Sequence, residues 1–106
     1  MTGSYDPELN LVYWGVGNPS SDFYGGNRTG DNLYTGAIVV LDADTGKLKW
    51  HYQFTPHDVH DYDSTEVPIL ADLTINGQPR KTVMFANRNG SYYTLDRNTG
   101  KVIVKL

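Results

Sequence analysis

Leu41-Asp42-Ala43-Asp44-Thr45-Gly46-Lys47-Leu48-Lys49-Trp50 carries the turn that decides the fold, and Leu95-Asp96-Arg97-Asn98-Thr99-Gly100-Lys101 repeats it. An Asp opening a turn accepts hydrogen bonds from backbone amides two residues on. A Gly closing it takes φ > 0 without a Cβ clash, so both copies read as hairpins. A weaker echo, Asp6-Pro7-Glu8-Leu9-Asn10, precedes a third apolar run.

Outward from the first turn, Leu48, Trp50, Tyr52 and Phe54 alternate with Lys49, His51 and Gln53, the period of a half-buried strand. Further strands are expected at Leu11–Trp14, Ala37–Leu41, Ile69–Ile75, Thr82–Ala86, Ser91–Leu95 and Val102–Leu106, each short, β-branched or aromatic, and bounded by turn residues. No segment repeats its apolar residues at 3.6, so the chain reads as all-β antiparallel meanders. Asp42 and Asp96 lie 54 positions apart (96 − 42). Blades of a β-propeller recur at roughly 40–50 residues, and ordinary meander hairpins are the plainer alternative. Residues Gly15 to Gly36 form a long irregular stretch around Pro19; Phe23, Tyr24 and Tyr34 give it something to pack with, which favours a functional loop over a disordered one.

Composition narrows the function. The 106 residues are 39% apolar, enough for a modest core, and carry a formal charge of −3, which offers no footprint for nucleic acid or an anionic membrane. With no cysteine there is neither a disulfide framework nor a thiolate metal site. Met1 to Asn10 lacks the basic start and apolar run of a signal peptide, and no stretch approaches a membrane span.

One cluster invites metal chemistry: His57, Asp58, His60, Asp61 and Asp63 fall within seven positions. The spacing fits no zinc pattern on a helix or finger, and Pro56 argues for a loop. His57 and Asp58 read as loop-holding residues bonded to backbone, and Asp31 and Asn32 as turn formers. Taken alone, Asp61 is a loop carboxylate, Gly17-Asn18-Pro19 a turn and Arg88 a surface arginine after a strand.

Asp42 to Trp50 nevertheless resembles the tryptophan-docking motif of the pyrroloquinoline-quinone (PQQ)-dependent alcohol dehydrogenases, in which the Trp packs between neighbouring blades of an eight-bladed propeller. Gly15-Val16-Gly17-Asn18-Pro19, Gly30-Asp31-Asn32-Leu33-Tyr34, Thr55 to Asp63 and Asn87-Arg88-Asn89-Gly90 are similar to further strings of that family, in order and in spacing. Val104 stands where the second copy would carry its Trp, so that copy is degenerate. The likeness runs through residues 1–106 and implies a partial propeller domain of roughly two blades. The family's metal-ligating glutamate, vicinal-cysteine disulfide and stacking tryptophan would lie outside it.

The resemblance also implies roles. Asp61 would be the general base that takes the alcohol's hydroxyl proton while hydride passes to the quinone, Asn18 an amide-oxygen ligand of a calcium or lanthanide ion, and Arg88 the basic residue beside the quinone's reactive oxygens. Asp61 and Asp63 would also face the ion. An acidic residue two positions beyond the catalytic aspartate accompanies lanthanide use in the family, so Asp63 favours a lanthanide over calcium. The parent would be a periplasmic quinoprotein oxidising a small primary alcohol to an aldehyde and passing electrons to a cytochrome c-type acceptor. A non-enzymatic propeller scaffold or binding domain is the alternative, and the isolated chain is expected to be an inactive fragment that folds poorly.

Overall fold

The computed structural model describes residues 2–106 and contains eight strands: β1 (Ser4–Asp6), β2 (Leu11–Val16), β3 (Ala37–Asp42), β4 (Leu48–Gln53), β5 (Ile69–Ile75), β6 (Gln78–Ala86), β7 (Tyr92–Asp96) and β8 (Val102–Lys105). They form two four-stranded antiparallel meanders, β1-β2-β3-β4 and β5-β6-β7-β8. The all-β expectation holds, with three differences larger than a one-residue shift at a strand end. β1 is an extra strand, too short to show alternation. β2 runs on to Val16, because Gly15 and Val16 pair with Ile38 and Ala37, so the long loop begins at Gly17. β6 starts at Gln78, because Asn76 and Gly77 at φ 52° and 76° make a two-residue hairpin that lengthens the ladder.

Three turns share one construction. Asp42 Oδ1 accepts the amides of Asp44 and Thr45, both at 2.9 Å. Asp96 Oδ1 accepts those of Asn98 at 2.9 Å and Thr99 at 3.0 Å. The weak echo is a third case: Asp6 Oδ1 accepts Glu8 N at 2.9 Å and Leu9 N at 3.3 Å. There Asn10, at φ 56°, takes the left-handed position that glycine holds in the other two.

The core lies between the sheets: Leu11, Tyr13, Ile38, Val40 and Trp50 from the first, Val83, Phe85, Tyr93 and Leu95 from the second, and Phe54 from the connection between them. Phe54 stacks on Phe85 with ring centroids 4.7 Å apart and meets Tyr93 at the same distance. Trp50 is buried as expected and donates Nε1–H to the Arg97 carbonyl at 3.2 Å. That carbonyl also accepts the Tyr13 hydroxyl at 2.7 Å. Arg97 itself is buried, its Nε 2.6 Å from Asp6 Oδ2 and its Nη1 2.7 Å from Asp72 Oδ1. The turn of the second sheet thus clamps the first at one end of the stack. No helix among the described residues is long and apolar enough to cross a membrane.

Antiparallel order sends alternate connections to opposite ends. Those joining β2 to β3 (residues 17–36), β4 to β5 (54–68) and β6 to β7 (87–91) meet at the end away from Arg97. That end carries the candidate residues.

Candidate functional site

The β4–β5 connection folds back over the end of β2. Ser64 N donates to Val16 O at 3.3 Å, and the Ser64 carbonyl occupies the space a side chain at Gly15 would need. Gly17 meets the same constraint, since a Cβ there would lie 2.8 Å from Asp63 Oδ1. Glycine at both positions lets the second loop settle onto the first.

Asp63 joins three connections. Its Oδ1 accepts Asn18 N at 2.8 Å, and its Oδ2 lies 3.3 Å from Arg88 Nη1. Asn18, Asp63 and Arg88, read from separate stretches of sequence, are therefore one hydrogen-bonded cluster. Arg88 is more than half exposed and Asp63 less so, which makes the ion pair modest in strength and leaves the guanidinium open to a ligand.

Asn18 spends its Nδ2 on Pro19 O at 3.2 Å and Asp22 Oδ1 at 2.8 Å. Its amide oxygen accepts no hydrogen bond among the described residues, and neither does the carboxylate of Asp61. The cluster of sequence-predicted residues does not extend to Asp61 by hydrogen bonding. Asp61 sits at φ 61°, left-handed, so the chain turns there instead of continuing the alternation of an extended strand. No group of three or more His, Cys, Asp or Glu among the described residues is placed to hold a metal ion by itself.

The neighbouring loop residues are tied down. Asp58 is buried and accepts the amides of His60 and Tyr62, each at 2.7 Å, so its expected backbone bonding is present. His57 also bonds to backbone: its Nδ1 lies 2.7 Å from Gly30 O. Two supports were not legible in the sequence. Arg28 Nη2 donates to Ser21 O, Tyr24 O and Asp58 O, pinning the long loop onto the β4–β5 connection. Asn89 Nδ2 donates to Phe54 O at 3.3 Å and Tyr93 Oη at 3.0 Å, closing the site end of the core. Asn89-Gly90 could have been read as a turn; nothing local marks Arg28.

The chain as a whole is similar to known proteins. The PQQ family described as glucose/ethanol/alcohol dehydrogenase, beta-propeller domain, matches residues 1–106. The quinohemoprotein alcohol dehydrogenase of Comamonas testosteroni is 52% identical over 102 residues, covering 94% of this chain and 14% of its own length. Its crystal structure superposes with a TM-score of 0.93 at 48% identity, over 99% of this chain and 16% of that one. The lanthanide-dependent methanol dehydrogenase of Methylorubrum extorquens is 46% identical over 101 residues, 95% of this chain and 17% of its own. A europium-containing methanol dehydrogenase gives a TM-score of 0.94 at 41% identity, over 98% of this chain and 18% of that one. The chain spans about one sixth of the length of these relatives.

Proposed function

This chain belongs to the PQQ family of glucose/ethanol/alcohol dehydrogenase β-propeller domains, and from that membership we propose that it supplies one sector of the active site of a quinoprotein oxidising a primary alcohol to an aldehyde. The observation that carries the reading is the gathering of Asn18, Asp63 and Arg88 at one end of the sheets, with Asp61 two residues from Asp63 on the same loop.

Asp61 is the base. An ionised carboxylate within hydrogen-bond reach of the hydroxyl takes its proton as the carbinol hydride leaves, a contribution typically of about 10²–10⁴-fold. Among the described residues none donates a hydrogen bond to it, which suits that task, because no protein N–H or O–H competes for the oxygen that must accept the proton. Arg88 places a permanent positive charge where negative charge develops on the electron acceptor. PQQ, when bound, supplies the hydride acceptor.

The residues present fit a hard cation. Among the described residues Asn18 has its amide oxygen free while its NH₂ is anchored, and Asp61 adds an unpartnered carboxylate. Oxygen donors of this kind suit calcium or a lanthanide ion, and with only these donors here the parent must provide others. Asp63 adds a further carboxylate close by, and a trivalent ion gains more from each added carboxylate than a divalent one. The reading is therefore a lanthanide in preference to calcium. We place the parent in the periplasm, delivering its electrons to a cytochrome c-type acceptor.

Substituting Asp61→Asn in the full-length enzyme tests the assignment. Alcohol oxidation should fall by at least about 10²-fold with PQQ still bound and the fold intact. Turnover near wild type with quinone bound would remove Asp61 from the mechanism.

A further inference from the structure

Asp58 lies three residues before the base, and its surroundings differ from those of every other carboxylate at this end of the molecule. It is 1% exposed. Its Oδ1 accepts His60 N and its Oδ2 accepts Tyr62 N, each at 2.7 Å. These two amides flank Asp61 on either side. The carbonyl of Asp58 in turn accepts Arg28 Nη2 at 3.1 Å, and Arg28 Nη1 bonds Asn32 Oδ1, which fastens the loop to its neighbour. The imidazole of His60 stacks on Tyr62 with centroids 5.0 Å apart and planes 13° apart, bridging over the same residue.

We infer that Asp58 is the positioning residue for Asp61. Drawing the amides before and after Asp61 onto one buried carboxylate closes a tight loop in which the intervening residue must turn. The φ of 61° at Asp61 is the result. Left-handed backbone is disfavoured for a residue with a Cβ, though less for aspartate than for most, and the surroundings of Asp61 hold it there. Two charge-assisted hydrogen bonds of this length are strong enough to do so. With the His60 and Tyr62 amides taken by Asp58, the Asp61 carboxylate accepts no hydrogen bond among the described residues. Asp58 thus acts on the reaction through Asp61 and touches no reactant.

The inference rests on Asp61 being the base, and the experiment separates the two. In the full-length holoenzyme, Asp58→Asn keeps the size of the side chain but replaces one acceptor oxygen with an NH₂ group, which faces an amide N–H and breaks one arm of the clamp. Expected is a fall in kcat on the order of 10²-fold, with KM within about twofold and the absorption of bound PQQ unchanged, because the base is misplaced while binding is not. If Asp61→Asn is inactive and a folded Asp58→Asn keeps kcat within about twofold of wild type, the positioning role is overturned and Asp61 stands. If Asp61→Asn retains turnover, both assignments fall together. Residue-resolved amide hydrogen exchange on the unmodified enzyme gives a test that no folding defect can spoil. The His60 and Tyr62 amides should exchange at least about tenfold more slowly than that of Asp61, and equal rates would overturn the clamp.

Discussion

The carboxylate of Asp63 reaches across from the first sheet's exit loop to the guanidinium of Arg88 in the β6–β7 connection, 3.3 Å away. Its other oxygen holds the backbone of Asn18. One side chain therefore links the loop that would contact an ion to the residue that would face the quinone, and a change at Asp63 should be felt at both.

From this link, Asp63→Ala in the full-length enzyme should shift ion preference toward calcium and loosen Arg88. Metal-free enzyme reconstituted with PQQ and each ion in turn provides the measurement. Wild type should be at least on the order of tenfold more active with a light lanthanide than with calcium, a difference of about 1.4 kcal/mol. The variant should lose most of that margin. Equal or better wild-type activity with calcium would refute the ion assignment.

Trp50 and Gly100 make the second testable contact. The six-membered ring of Trp50 fills the space directly over the Gly100 Cα, where a Cβ would collide with it. Gly100 also sits at φ 79°. Gly100→Ala therefore combines backbone strain with a clash against a ring that cannot retreat without breaking its bond to Arg97 O. Thermal melting of the full-length enzyme should show Trp50→Ala losing about 3–5 kcal/mol, as for other buried aromatic truncations, and Gly100→Ala about 1–3 kcal/mol. A Gly100→Ala variant as stable as wild type would mean that the two sheets do not dock this way.

The Asp6–Arg97 pair gives the fold an acid limit. Burial pushes the Asp6 carboxyl up, but the Arg97 hydrogen bond, the Glu8 and Leu9 amides and the Arg97 charge together outweigh it and hold the pKa below its usual 3.8. A depressed folded-state value means that the stabilisation is complete above the unfolded value and is lost as pH falls through the lower, folded one. Unfolding free energy should therefore decline below about pH 4, and Asp6→Asn should be less stable at neutral pH with a flatter acid limb. Arg97→Met leaves Asp6 buried without its partner, a change that costs about 3–5 kcal/mol in such sites. Denaturant titrations across pH 2–7 would show this, and parallel acid limbs for wild type and Asp6→Asn would rule the pair out as their source.

Much of the fold was open to sequence reading because its determinants are local. Asp42 and Asp96 build their turns from amides two and three residues away, and the alternation around Trp50 needs only the pleat of one strand. β1 escaped notice because three residues are too few to display a period. Asn76-Gly77 is a strong hairpin signal, and it accounts for the extra length of β6. The strings holding Asn18, Asp61, Asp63 and Arg88 were legible as motifs that the resemblance assigns to one site; the bonds by which Asp63 ties Asn18 to Arg88 were not.

Sequence by itself determined seven of the eight strands, two of the Asp-opened turns that join them, the residue types that suit a hard cation or accept a proton, and the family they resemble. Tertiary structure alone decided that Asp63 bonds Arg88, that Trp50 covers Gly100, that Arg97 reaches Asp6, and that Asp58 folds its loop so as to turn Asp61. The physical reason is range. A turn or a pleat is settled by neighbours a few bonds away, whereas Arg97 and Asp6 lie 91 positions apart and meet only after two sheets have stacked. Stacking is driven by apolar area, which fixes that the faces bury each other but carries no label for which polar groups at their ends will then be within reach.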